Sequence, residues 1–158
     1  MAQLNLIGLE VEKSKELAAL LTDLLANYSI FYQNTRGYHW NITGEKFFEL
    51  HLKFEELYND LFTKIDEVAE RILTLGYNPD HKFTEYLKIA EIKESSEVSD
   101  GKKAVEQILS AFQVLLIKQR KLLGLSGEID DEGTNALMSD YIREQEKLVW
   151  MYSAFLGK

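Results

Sequence analysis

The sequence predicts an all-α fold, a bundle of four helices with one long connection between the second and the third. Three observations carry that prediction. Apolar residues recur every three or four positions over four long stretches. No stretch alternates apolar and polar residues strongly enough to read as strand. The connections flanking the bundle halves are short, whereas some twenty-odd residues around the single proline join the halves, which suits helices that run parallel.

The first helix is expected from about Leu9 to Tyr38. Its inward stripe is Leu17, Leu20, Leu21, Leu24, Leu25, Tyr28, Phe31, Tyr32 and Thr35. Gly37 weakens its end, and Asn41 to Gly44 form the turn into a second helix. That helix, from about Gly44 to Leu75, carries Phe47, Leu50, Phe54, Leu57, Leu61, Ile65, Val68, Ile72 and Leu75 at the helical period. A turn this short makes the two helices antiparallel neighbours. Gly76 and the run Tyr77-Asn78-Pro79-Asp80 then stop the chain as helix.

Within the long crossover, Phe83, Tyr86, Leu87 and Ala90 repeat at helical spacing, so a short extra helix is expected between Phe83 and Ile92. The third long helix is expected from Lys102 to Leu123, turning Val105, Ile108, Leu109, Phe112, Leu115, Leu116, Gln119 and Leu122 inward, with Gly124 and Gly127 ending it. The fourth starts near Asp131 and carries Leu137, Tyr141, Leu148, Met151, Tyr152 and Phe155. With no internal repeat and 46% hydrophobic residues, residues 1–158 read as a single domain.

The chain has no cysteine, which excludes disulfides and thiolate ligands and fits a reducing compartment. No basic segment followed by an apolar run opens it, and no uncharged stretch nears the roughly 18 residues of a membrane span. The cytoplasm is the expected location, with no membrane partner. A net charge of −8 repels nucleic-acid phosphate and suits a protein that attracts cations.

Candidate metal ligands concentrate between His39 and Glu70. His51 and Glu55 form one pair spaced by four residues on the second helix; Asp66 and Glu70 form another. Side chains so spaced share a helix face, so each pair can hold one side of a cation. Imidazole and carboxylate together suit first-row metals such as Fe(II). His51 and Asp66 lie fifteen residues apart, about 22 Å at the helical rise, so no single ion reaches both. Either the pairs are unrelated half-sites, or the helix packs antiparallel against its own copy. A two-fold axis near the helix midpoint would then bring His51 of one subunit to Asp66 and Glu70 of the other.

The run His39-Trp40-Asn41, then Gly44, Phe47, Phe48, Leu50-His51 and Phe54, then Asp66-Glu67-Val68-Ala69-Glu70-Arg71-Ile72 with Leu75-Gly76, resembles the signature of the Dps family. These are dodecameric mini-ferritins, named as DNA-binding proteins from starved cells. The likeness extends to Trp150-Met151 and to Ala154-Phe155-Leu156-Gly157-Lys158, and so covers almost the whole chain. It implies a ferritin-like bundle with the short helix in the crossover, and a homo-oligomer, a dodecamer built from two-fold dimers. It also implies a di-iron ferroxidase centre at the dimer interface, with His39, His51, Asp66 and Glu70 as catalytic ligands and Glu55 as a further metal ligand. The implied activity is oxidation of Fe(II) by hydrogen peroxide, storage of ferric mineral in a hollow shell, and protection against oxidative stress.

The same resemblance raises a role for Trp40 as an electron donor, against plain interface packing. It also raises a lining role for acids among Glu128, Asp130, Asp131 and Glu132 where iron passes the shell, Asp131 and Glu132 first, although Ala136 stands where some relatives carry another Asp. Acids opening a helix also serve simply as caps. His81 has no partner at ligand spacing. No Glu-x-x-His pair occurs, which excludes the di-iron site that larger ferritins build within one bundle. The family name raises DNA compaction as an alternative. Such binding usually rides on a flexible basic tail, absent here, and twelve chains of −8 would total −96, so DNA binding is not expected.

Overall fold

Four long helices and one short one form where the apolar periodicity places them. The computed structural model describes residues 1–158. In it α1 spans Val11–Asn41, α2 Phe47–Thr74, α3 Phe83–Ile89, α4 Gly101–Glu128 and α5 Glu132–Phe155. The arrangement is all-α, with α3 inside the long crossover as expected. The only β-type pairing is an isolated bridge between Leu4 and Glu10. α1 packs chiefly on α2, and α4 on α5, giving two hairpins joined by the crossover. No helix is long and apolar enough to cross a membrane.

The core follows the predicted stripes on the first three long helices and shifts on the fourth. There Thr134, Met138, Tyr141, Ile142, Gln145 and Tyr152 are buried, Leu137 and Leu148 are half-buried, and Met151 and Phe155 are exposed. Polar residues therefore take part of the inner face of α5. They are accommodated by a closed ring at the bundle centre. Tyr28 donates its hydroxyl to Gln119, Gln119 Nε2 donates to Gln145 Oε1 at 2.8 Å, and Gln145 Nε2 donates back to Tyr28 at 2.6 Å. Each member gives one hydrogen bond and takes one, which avoids the ~1–3 kcal/mol that a buried unpaired polar group costs.

α1 runs three residues past its expected end, to Asn41, α2 starts three residues late, at Phe47, and α3 stops three residues short, at Ile89, but the largest departure is at the end of α4. Gly124 and Gly127 do not end α4, which continues to Glu128. Two helical glycines cost roughly 1 kcal/mol each, but the extra turn lays Leu125 and Ile129 against the core. The stop comes from Asp130, the one non-glycine residue with positive φ, at 62°. Asp131 N–H then reaches back to Ser126 O at 2.8 Å and Asp130 N–H to Gly127 O at 3.3 Å, the paired bonds of a left-handed helix stop. α2 closes the same way with Gly76 at φ 98°.

The crossover is tied to α1 by two asparagines seven residues apart. Asn27 Oδ1 accepts from the N–H groups of Glu91 and Ile92 at 3.0 and 2.9 Å. Asn34 Oδ1 accepts from Ser95 N–H, and its amide donates to Lys93 O, both at 2.9 Å. These side chains take over hydrogen bonds that an irregular segment cannot make for itself.

At the other end, Arg71 of α2 reaches the start of α5. It donates through Nη2 to Asp131 Oδ1 at 2.6 Å and through Nε to Thr134 Oγ1 at 2.9 Å. Asp131 also caps α5 by accepting from Thr134 N–H at 3.1 Å. The guanidinium lies flat on Gly133, where an added Cβ would sit 2.6–2.7 Å from its atoms. Gly133→Ala is therefore expected to push Arg71 off buried Asp131 and to lower the unfolding free energy by about 1–3 kcal/mol. Chemical denaturation reads the change; stability within about 0.5 kcal/mol of the parent would mean the guanidinium is not held there.

Candidate metal centre

His39 stands in the last turn of α1 and His51 in the second turn of α2, so the short Ile42–Lys46 turn folds one ring onto the other. Gly44 makes the turn possible at φ 102°. The rings stack with centroids 3.8 Å apart and planes 13° apart, and Phe47 stacks on the far face of His51 at 4.9 Å. Tyr58 meets the His39 ring edge-on at 5.3 Å. His39 is buried and His51 half-buried.

The two imidazoles hold each other through backbone. His39 Nδ1 lies 2.6 Å from His51 O, and His51 Nδ1 lies 2.7 Å from His39 O. A carbonyl oxygen only accepts, so each Nδ1 carries the proton and donates it. The neutral ring then keeps its lone pair on Nε2, which is the arrangement a metal-ligating histidine needs. Glu55 Oε1 stands 3.9 Å from His39 Nε2. That gap can take a cation about 2.1 Å from each atom.

Asp66 and Glu70 lie on the same face near the other end of α2, both exposed. The Asp66 carboxylate pushes the Glu70 carboxyl above its usual range, first through a hydrogen bond that favours the protonated form and then through like-charge repulsion. Two carboxylates placed this close repel one another, and a cation between them would relieve that repulsion. α2 is unbroken from Phe47 to Thr74, so the roughly 22 Å between His51 and Asp66 stands as the helical rise requires. No group of three or more His, Asp or Glu side chains converges within the chain. The structure thus sets the His39 ring against the His51 ring, with His39 Nε2 3.9 Å from Glu55 Oε1, and keeps Asp66 and Glu70 apart from them.

Of the other candidates, Trp40 is 56% exposed, with the Arg36 guanidinium 4.8 Å above its ring. Asp131 is the only acid among the buried residues. Held by Arg71 and the α5 cap, it is not available to line a passage, whereas Glu128, Asp130 and Glu132 are exposed. What the sequence reading missed is the pair of carbonyl acceptors and the ring stack. The twelve-residue spacing of His39 and His51 around one tight turn was the only available signal.

A ferritin-like domain family model matches residues 18–158. A protein of Porphyromonas gingivalis named DNA protection during starvation protein is 43% identical over 155 residues, covering 98% of this chain and 98% of its own length. The solved structure of the Dps protein of Vibrio cholerae O1, described as a member of a broad superfamily of ferritin-like diiron-carboxylate proteins, superposes with a TM-score of 0.96. It shares 60% identity and covers 99% of this chain and 98% of that one. The Dps protein of Bacillus brevis superposes with a TM-score of 0.88 at 34% identity over 92% of this chain and 97% of its own.

The carbonyl latch has a direct spectroscopic consequence. In the metal-free protein, nitrogen-15 resonances of the neutral His39 and His51 rings are expected to report protonated Nδ1 and bare Nε2. A protonated Nε2 on either ring would contradict the latch and remove the lone pair the centre needs.

Proposed function

The chain belongs to the Dps branch of the ferritin-like proteins, and from that premise we propose that it oxidises Fe(II) at a centre shared between two subunits and stores the ferric product. In this reading two antiparallel copies of α2 cross, and each centre takes His39, His51 and Glu55 from one subunit and Asp66 and Glu70 from the other. The observation that carries it is the separation fixed by one unbroken helix: the histidine end and the carboxylate end stand about 22 Å apart, and no group of three or more such side chains gathers as a metal site within the chain. A two-fold interface pairs residue i with residue j and j with i, so both centres form together.

Iron is the substrate. The bare Nε2 atoms present neutral donors, and Asp66 with Glu70 supplies negative charge to the arriving ion. This mixed set holds Fe(II) while leaving coordination positions for an oxidant. Hydrogen peroxide is the oxidant that two neighbouring ferrous ions match: 2 Fe(II) + H2O2 + 2 H+ gives 2 Fe(III) + 2 H2O. The O–O bond takes both electrons at once and releases no hydroxyl radical. Twelve subunits enclosing a cavity would retain the ferric product as mineral, in the reducing cytoplasm that a cysteine-free chain fits. Protection runs through this chemistry rather than through DNA contact, because −8 per chain repels phosphate.

His51→Ala and Asp66→Ala are each expected to slow initial ferric formation by at least about tenfold while the oligomer mass is unchanged. Rates equal to the parent in both variants would remove the assignment.

Complementation tests the sharing. One chain carries His39→Ala and His51→Ala, the other Asp66→Ala and Glu70→Ala. Each homodimer is inactive, but a mixed dimer rebuilds one whole centre from its intact halves. Random mixing should restore about a quarter of the parental rate under two-fold pairing. Mixed dimers confirmed by mass yet as inactive as their parents would end the intersubunit reading.

A further inference from the structure

A line of aromatic contacts leads away from the histidine pair along the α1–α2 face. Tyr58 stands edge-on to His39 at 5.3 Å and 76°. Tyr32 stands edge-on to Tyr58 at 6.0 Å and 79°, with Phe62 tilted against it at 6.1 Å. The Arg36 guanidinium lies 5.4 Å above Tyr32 and 4.8 Å above Trp40.

Most other tyrosines have committed hydroxyls. Tyr28 is closed into the core ring, Tyr38 bonds Gln107 at 2.6 Å, Tyr86 bonds Asp80 O at 2.6 Å, and Tyr141 bonds Glu67 at 2.9 Å. Tyr152 is buried. Tyr32 and Tyr58 are only half-buried, and Tyr58 is the one tyrosine against a candidate ligand ring.

We propose that Tyr58, backed by Tyr32, is a one-electron donor at the candidate iron centre. The inference rests on the ferroxidase reading and extends it to a case that reading leaves open. A centre holding a single Fe(II) can give peroxide one electron only, and one-electron cleavage of the O–O bond releases hydroxyl radical. Tyr58 supplies the second electron: Fe(II) + TyrOH + H2O2 + H+ gives Fe(III) + TyrO• + 2 H2O. The O–O bond breaks, and the phenolic proton and one solvent proton end in water. Tyr32 can then pass its hydrogen atom to the Tyr58 radical, moving the oxidised site away from His39. A later ferrous ion restores the phenol: TyrO• + Fe(II) + H+ gives TyrOH + Fe(III).

The placement favours tyrosine over Trp40. Arg36 sits over the Trp40 ring, and a fixed positive charge there opposes the radical cation that an indole first forms. A tyrosyl radical that has shed its proton is neutral, so the same guanidinium over Tyr32 costs it little.

The experiment adds one Fe(II) per proposed centre to the assembled protein anaerobically, then hydrogen peroxide. Samples are frozen within milliseconds to seconds for electron paramagnetic resonance, with dityrosine fluorescence read later. The parent protein is expected to give a tyrosyl signal. Normalised to ferric ion formed, that signal should fall to background in Tyr58→Phe, which keeps the ring and the packing, and hydroxyl-radical adducts of a spin trap should rise. Tyr32→Phe should retain the radical but lose its migration, seen as a changed line shape. A signal per ferric ion in Tyr58→Phe equal to the parent's, or loss of the signal in Trp40→Phe instead, would overturn the assignment while leaving the ferroxidase reading intact. Absence of ferric formation in the parent would defeat that reading itself, and the donor role with it.

Discussion

The length of one straight helix governs this molecule. α2 carries candidate ligands at both ends, and a helix rises 1.5 Å per residue whatever its sequence. Its apolar stripe is buried along the whole length, with Leu50, Phe54, Leu57, Leu61, Val68 and Ile72 inside, so neither a kink nor local melting can shorten the span. The half-sets are kept apart by the same packing that stabilises the chain. A centre made from both of them has to be made by association, which ties the proposed chemistry to assembly.

The surrounding structure keeps α2 rigid while leaving its ligands free. The bundle interior holds no free charge. Neutral Tyr28, Gln119 and Gln145 satisfy one another, and buried Lys64 is held by Asp60 and Glu144 at 2.8 and 2.9 Å. Burial alone would lower the Lys64 pKa, but its bonds to those carboxylates outweigh that and hold it above the usual range. Arg71, beside Glu70, turns away to clamp Asp131. The cations of α2 that could neutralise Asp66 and Glu70 are thus engaged elsewhere, and the two acids are left facing each other.

At the histidine end the constraint is orientation. Reciprocal bonds from Nδ1 to backbone carbonyls set both tautomers, and the stack of Phe47, His51 and His39 sets both ring planes. Fixing a ring before the ion arrives removes an entropy cost from binding. The aromatic wall that provides this rigidity also places Tyr58 against His39, so packing and electron supply can share the same side chains.

The periodicity of apolar residues determined the class, the four long helices, the short crossover helix and most of the core, because burial of one stripe per helix is a local pattern that any reader of the chain can count. Spacing likewise grouped His51 with Glu55 and Asp66 with Glu70, and the fixed rise separated the groups. What the sequence left undecided were matters of long-range partnership. Gly124 and Gly127 read as a stop, yet packing of Leu125 and Ile129 carried α4 past them to Asp130. Asp131 read as a pore-lining acid or a helix cap; it does cap α5, yet Arg71, sixty residues earlier, also claimed it. The latch on His39 and His51 uses carbonyl oxygens, which every residue has and no sequence distinguishes. Local preference is written residue by residue, whereas a buried donor takes whichever acceptor the folded chain brings within reach, and that only the tertiary structure decided.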